Sequence, residues 1–398
     1  MKTARIILVI ILFVSIGTIL LGGFLQLVPN IRLAKVKRDR LPIGPLTKDV
    51  FGKNTIHITQ IVKGKKSAIR SVTMLKSLLY FQNHLNSASQ ECLRVEPFET
   101  SPCFTELHPA QNPIHVHFIT EYDLWPVLKS KLGNCSLPYL ECSFYNLAEY
   151  QSFAERIPNT NHAGAAGIAK LWVPYILPHW VIRTIFVDTD TLWNENVETL
   201  WKIFDNFTST QMLGIAWEQQ SQDAHCRRSS ETSLPVTGVN SGLVLMHLSR
   251  MRVANWGLIT EQHIVSFLAV RKHLSQADQD IYNSVLALKP EWLYSLPCEW
   301  NVQVYSPVAV QCCPVIWPDR RPKITHECSD VKQTSTRSYG FLRIAHYNTD
   351  NKPEDTGWNN APPYNPLPSG SALTNDGLRA RFFDVYARFR KIPMDCFV

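Results

Sequence analysis

Ile185-Phe186-Val187-Asp188-Thr189-Asp190 is an apolar, β-branched run that stops at two carboxylates spaced two residues apart. An extended segment ending this way presents Asp188 and Asp190 at the C-terminal end of a strand, the edge where ligands bind in open α/β sheets. Neighbouring carboxylates disfavour each other's charge unless a cation neutralises them. Hard oxygen ligands favour Mg²⁺ or Mn²⁺, and either ion can also hold a diphosphate. By itself an Asp-x-Asp triplet is equally a turn after a strand. The β-branched run from Val181 to Val187, of the kind buried in parallel sheets, favours the ligand site.

Outward from this strand, the chain alternates strands with helical segments. Ile56–Val62 and His115–Thr120 are β-branched strands, and Ser143–Asn146 is a shorter one. Ser67–Leu85 has helical apolar spacing through Ile69, Val72, Leu75, Leu78 and Leu79. Leu124–Leu132 and Ala163–Leu177 also read as helices, the latter ended by Pro178. Ser89–Pro113, with its prolines and cysteines, and Trp317–Pro368, rich in Pro and Asn, read as loop. Phe382–Phe389 reads as a short closing helix. Such alternation predicts an α/β fold with a parallel or mixed sheet and right-handed crossovers.

Three further stretches carry polar groups at telling places. In Val239–Met246, Asn240 and Ser241 can bond hydroxyls and Gly242 permits close backbone approach, although a turn into a buried strand has the same pattern. Asp278 and Gln279 open a helical segment, where they either cap it or face a substrate. His346 could complete a metal site begun by two carboxylates, and Lys352 could neutralise a phosphate as a point charge. No P-loop, GxSxG, HExxH or GxGxxG fingerprint stands in a supporting context.

Composition bounds the class. The 398 residues are 45% hydrophobic and 18% charged, which describes a globular chain with a sizeable core. The net charge is +7, and much of it clusters between Arg32 and Arg70. That cluster lacks interleaved aromatics and any nucleic-acid motif, so a solvated stem beside a membrane is expected and a nucleic-acid partner is not. Ile6–Val28 is uncharged and long enough to span a bilayer, longer than the usual core of a cleaved signal peptide. The expected order is a tail at 1–5, a transmembrane signal anchor at 6–28, a stem at 29–54 and a catalytic domain at 55–398. Flanking charge alone would leave the C-terminal side in the cytosol. Ten cysteines without zinc-type spacing, and the sequons at Asn134 and Asn206, point instead to an oxidising lumen.

Taken together, these residues resemble the retaining glycosyltransferases of family 8, the glycogenin-like class. Thr237–Gly242 followed by Met251-Arg252 is similar to glucoside xylosyltransferases, as are Thr73–Ser77 and Pro297–Asn301. Ala277–Asn283, and Ile157–Asn159 through Lys170-Leu171, are similar to the xylosyltransferase domain of LARGE-type enzymes. The resemblance runs from Ile56 to Arg390. It implies a GT-A fold, a Rossmann-like mixed sheet flanked by helices, that binds a UDP-sugar and Mn²⁺ (or Mg²⁺). By the same likeness Asp188, Asp190 and His346 ligate the metal, with Thr189 and Ser241 in the donor site. Ile61 and Val62 grip the uracil, Lys170 lies near the donor, and Asn240 and Gly242 meet the donor sugar. Asp278 and Gln279 sit by the transferring carbon, and Lys352 sits on the diphosphate. One departure is Thr349, where the family often has glycine between the histidine and the lysine. The implied activity is transfer of α-xylose from UDP-xylose to a glycan on a secretory-pathway glycoprotein, by a single-pass type II protein of the Golgi or endoplasmic reticulum. The rival readings are UDP-glucose or UDP-galactose as donor, and a non-catalytic glycan-binding protein.

Overall fold

The strand that ends at Asp188 is the middle member of a seven-stranded sheet. The computed structural model describes residues 54–86, 88–94, 112–135, 137–219, 238–307, 309–317, 340–349, 352–354 and 373–397. Its strands are β1 (Ile56–Val62), β2 (Ile114–Thr120), β3 (Leu140–Asn146), β4 (Thr184–Val187), β5 (Thr191–Trp193), β6 (Leu213–Trp217), β7 (Val239–Met246), β8 (Leu293–Ser295), β9 (Val302–Gln303) and β10 (Ile344–His346). The main sheet runs β3-β2-β1-β4-β7-β6-β8. The neighbours of β4 are β1, which is parallel to it, and β7, which is antiparallel. The sheet is therefore mixed, and β4 is buried throughout. That double burial is why Ile185, Phe186 and Val187 follow one another where a half-exposed strand would alternate.

Chain order reverses at β1: β2 and β3 lie on one side of it and β4 on the other. A crevice at the C-terminal ends of the strands is the usual binding place at such a switch. The register Ile58↔Ile185 and Thr59↔Phe186 carries Ile61 and Val62 to the same edge as Asp188. A smaller sheet, β5-β10-β9, sits immediately after the Asp188–Asp190 turn.

The helices used below are α1 (Gly64–Phe81), α2 (Gly164–Ala169), α3 (Asp278–Leu288) and α4 (Asn375–Lys391). Helix α1 buries Leu75, Leu78, Leu79 and Tyr80, and Tyr80 meets Phe389 of α4 edge-on. A disulfide between Cys92 and Cys396 joins the regions that follow these two helices. Bridges Cys135–Cys142 and Cys298–Cys313 are also present, and no described cysteine is free.

Several boundaries differ from the sequence reading. Helix α1 stops at Phe81 because Asn83 takes a positive φ of 64°. The expected helix Ala163–Leu177 is three short pieces, α2, Lys170–Trp172 and Val173–Ile176, with Pro174 starting the last one. Residues 181–183 are not strand, because their backbone is engaged elsewhere. Arg252 donates to the carbonyls of Pro174, Leu177, Pro178, His179 and Val181, gathering the segment that leads into β4. The closing helix is twice the expected length. Thr374 caps it by accepting from the Gly377 N–H, and Leu378, Phe382, Val385 and Phe389 bury one face. Within Trp317–Pro368, expected to be loop, lie β10 and the short strand Gly340–Phe341. The expected loop Ser89–Pro113 holds the short helix Gln90–Arg94. Among the described residues no helix is long and apolar enough to cross a membrane. The expected span at 6–28 and all of the stem but Asn54 lie outside them.

Five carbonyls on one guanidinium make Arg252 more than a surface charge. Arg252→Lys should cost about 3 kcal/mol or more, since an ammonium can replace few of these charged hydrogen bonds. A lowered urea midpoint with an unchanged m-value checks this.

Candidate active site

The turn after β4 sets the first two ligands. The Asp188 N–H donates to the Gly242 carbonyl at 2.8 Å, and Thr191 Oγ1 donates to the Asp188 carbonyl at 2.9 Å. The chain then re-enters extended structure as β5. Strand β10 pairs antiparallel with β5 in the register His346↔Thr191, and the Tyr347 N–H donates to the Asp190 carbonyl at 2.9 Å. This ladder brings His346 back across about 150 residues to Asp190, with His346 Nε2 lying 3.7 Å from Asp190 Oδ1. One ligand atom from each of Asp188, Asp190 and His346 lies within 4.8 Å of the others.

Neighbours fix the ring. His346 Nδ1 is 3.0 Å from Asn301 Oδ1, so an Nδ1–H donates there and Nε2 keeps its lone pair toward the carboxylates. Asn301 is held in turn by donating to Asn240 Oδ1 at 2.9 Å. Gly242 is required by the same ring, since a Cβ at that position would overlap His346. The donor set is two carboxylates and one imidazole, oriented by a partner behind it. It fits a hard divalent cation such as Mn²⁺ or Mg²⁺.

Two lysines balance the acidic pair. Lys352 forms an ion pair with Asp190 Oδ2. Lys170, buried, lies 3.1 Å from Asp188 Oδ1 and 3.5 Å from Asp278 Oδ2, and it donates to the Ser241 carbonyl at 3.0 Å. Burial works against ionisation of Asp190, but the Lys352 and His346 charges outweigh it and hold the carboxyl well below its usual range. Burial also works against Lys170, and Asp188 and Asp278 reverse the direction and raise it. For Asp278 burial wins over Lys170, and its carboxyl is raised to about 6. His346 is lowered by burial, with the two aspartates opposing.

Lys352 stands in a short segment that is itself tethered. Glu354, two residues on, accepts from Arg70 of α1 at 2.9 Å and from the Tyr386 hydroxyl of α4. The Thr349 N–H bonds the Tyr347 carbonyl at 3.0 Å. Lys352 thus reaches Asp190 even though Thr349 stands where glycine is usual.

The remaining expected residues join a hydrogen-bonded row. Gln279, in the first turn of α3, donates to Glu218 Oε2 at 2.9 Å and accepts from the Ser241 N–H at 3.2 Å. Asn240 donates to the same Glu218 oxygen at 3.0 Å. Helix α3 is entered through Ala277 at φ 52°, a strained conformation for a residue with a Cβ, and this aims Asp278 and Gln279 inward. Asn240, Ser241 and Gly242, expected before a strand, lie inside β7. Thr189 is buried between the two aspartates, and Ile61 and Val62 stand at the neighbouring strand end. The sequence reading assigned no role to Glu218 or Asn301. Glu218 carries the same mark as Asp188, a carboxylate just past an apolar strand. Asn301 falls inside the quoted stretch Pro297–Asn301, but its task depends on a ring 45 positions away.

Asn301→Ala should weaken Mn²⁺ binding by roughly 10–100-fold, the usual cost of losing an outer partner of a ligating histidine. Titrating the stripped protein with Mn²⁺, with circular dichroism to verify the fold, measures it.

The sequence profile of glycosyl transferase family 8 matches residues 68–359. The chain is similar to the xylosyl- and glucuronyltransferase LARGE2 of Mus musculus, with 27% identity over 260 residues that cover 65% of this chain and 34% of that protein. It is likewise similar to LARGE1 of Homo sapiens, with 27% identity over 265 residues covering 65% and 31%. The chain thus spans about a third of the length of these curated relatives. Among solved structures, mouse xyloside xylosyltransferase 1 in its apo form superposes with a TM-score of 0.50 at 21% identity, covering 74% of this chain and 98% of that one. This likeness is one of fold, and it bears out the expected GT-A-type α/β domain with a mixed sheet.

Proposed function

The chain belongs to glycosyl transferase family 8, and on that premise we propose a metal-dependent retaining glycosyltransferase that takes a UDP-sugar, with UDP-xylose the preferred donor. The observation that carries this reading is the convergence of Asp188, Asp190, His346 and Lys352 at the switch point of the sheet. A glycan-binding module has no need of a diphosphate site, which these four groups together would provide.

Asp188, Asp190 and His346 would hold Mn²⁺, which supplies positive charge where a leaving diphosphate becomes negative. Lys352 adds a further positive charge next to that place, tethered through Glu354 so that it adjusts over a short range. In retaining transfer the bond from the anomeric carbon to the phosphate oxygen breaks, and its electron pair leaves with UDP. The acceptor hydroxyl then bonds the same face of that carbon and passes its proton to the departing phosphate oxygen. Gln279, held at both ends of its amide, and the buried Asp278 are the rigid groups assigned to this carbon. Preorganised dipoles of this kind stabilise developing charge without reorganising. Lys170 acts as a positioning residue that ties Asp188, Asp278 and the Ser241 backbone together. Ile61 and Val62 are assigned to the uracil.

Similarity to relatives named for xylosyl transfer supports xylose as the sugar. Xylose lacks the hexose 6-hydroxymethyl group, so a wall beside C5 would exclude glucose. The acceptor is a glycan. The disulfides Cys92–Cys396, Cys135–Cys142 and Cys298–Cys313 support an oxidising compartment, consistent with a Golgi or endoplasmic reticulum protein anchored by residues 6–28. Asn206, the asparagine of one sequon, is exposed.

Asp190→Ala should lower kcat/KM by about 100-fold or more with Mn²⁺ present, since a developing charge would lose its support. Full activity in that variant would end the metal assignment. With UDP-xylose, UDP-glucose and UDP-galactose offered against glucoside, xyloside and glucuronide acceptors, mass spectrometry should find pentose transfer fastest. A faster hexose would replace xylose as the donor, and no transfer or donor hydrolysis under any condition would favour a glycan binder.

A further inference from the structure

A second cluster of metal-ligating side chains lies away from the site just described. His57 stands near the start of β1, and His115 and His117 are on β2 beside it. The register pairs His57↔His115, His115↔Glu141 and His117↔Ser143, so these side chains share one face of the sheet. They cluster toward the N-terminal ends of the parallel strands, whereas Asp188 follows the C-terminal end of β4. All three histidines are buried, and one nitrogen from each lies within 4.8 Å of the others.

Outer partners decide which nitrogens face inward. His117 Nδ1 is 3.0 Å from the Tyr145 hydroxyl, and its Nε2 is hydrogen-bonded to His57 Nδ1 at 3.0 Å, through a proton that a metal would displace. His115 Nε2 is 2.8 Å from Ser143 Oγ. Its other nitrogen, Nδ1, is buried without a hydrogen-bond partner and lies 3.5 Å from Glu141 Oε2. A histidine with one nitrogen tied to an outer oxygen and the other turned toward neighbouring ligands is the usual arrangement behind a bound metal. Two imidazole nitrogens on one tetrahedral Zn²⁺ stand about 3.4 Å apart, so the 3.0 Å between His57 and His117 needs only a small opening. The hydrogen bond between His57 and His117 does not account for a buried His115 nitrogen that faces a carboxylate without bonding it.

We propose that His57, His115, His117 and Glu141 form a second, structural metal site of the zinc type that pins β1, β2 and β3 together. Three imidazoles and one carboxylate suit a borderline ion such as Zn²⁺, whereas the carboxylate-rich site at Asp188 suits Mn²⁺ or Mg²⁺. Glu141, whose side chain is 21% exposed, is the point of entry. The inference stands independently of the transferase reading.

The test uses the full chain, stripped with chelator and titrated with Co²⁺ as a spectroscopic probe, then with Zn²⁺ in competition. The expected result is one equivalent of tetrahedral Co²⁺, recognised by strong visible d–d absorption. It should persist in Asp188→Asn/Asp190→Asn, which disables the other site, and vanish in His115→Asn. Glu141→Gln, a change of nearly equal size at a partly exposed position, should weaken binding at least as much as the roughly 10–100-fold cost of losing an outer partner. Its transferase activity should be kept. The proposal is overturned if the wild type shows no tetrahedral band, if the band disappears with the two aspartates, or if Glu141→Gln binds as tightly as the wild type.

Discussion

Holding two carboxylates side by side, one of them buried, is the constraint around which this protein is arranged. Asp190 is almost fully covered, and taking an ionised carboxylate out of water costs several kcal/mol unless it is paired and hydrogen-bonded. The compensation comes from three directions: Lys352, His346 and the Lys170 that serves its neighbour Asp188. None of these is local in sequence. Bringing them together requires β10 to zip against β5, and that pairing in turn needs a glycine at 242 so that the imidazole fits. The fold and the charge distribution are thus two descriptions of one arrangement.

A row of uncharged and acidic groups behind the ligands gives them rigidity. Glu218 receives Asn240 and Gln279, Asn240 receives Asn301, and Asn301 receives His346. In a low-dielectric interior such linked bonds strengthen one another, and any unpaired member would be costly. The row therefore holds its side chains in one geometry, as catalysis by preorganisation demands. The strain at Ala277 belongs with it, because the unusual backbone aims the first turn of α3 at the donor edge. Further out, Arg252 and Glu354 anchor the two segments that carry Asp188 and Lys352.

Membership of family 8 and this geometry support each other from different grounds. The profile match encloses Asp188, Asp190, His346, Asp278 and Lys352, while the coordinates show them meeting. The cluster of histidines on β1 and β2 is a separate matter. It sits at the other end of the parallel strands and has softer donors, so the protein holds two cation environments of different chemistry.

The sequence by itself determined the α/β class, the strand β4 with its two carboxylates, and the strands β1, β2 and β7. A doubly buried strand is rich in apolar and β-branched residues, and that pattern is written locally. It also pointed to His346 and Lys352, through likeness to a family and not through any local pattern. What only the tertiary structure decided were relations between distant segments. The register His346↔Thr191 depends on which strands pair, and short strands such as β10 carry too little local pattern to announce themselves. The late start of β4 follows from Arg252 claiming the carbonyls that precede it from afar, and the last piece of Ala163–Leu177 begins at its proline. The extra turns of α4 are stabilised by a buried face against Tyr80 and its surroundings, a partner no short window contains. Glu218 and Asn301 escaped notice for the same reason: a hydrogen bond across the core has no length in sequence, only in space.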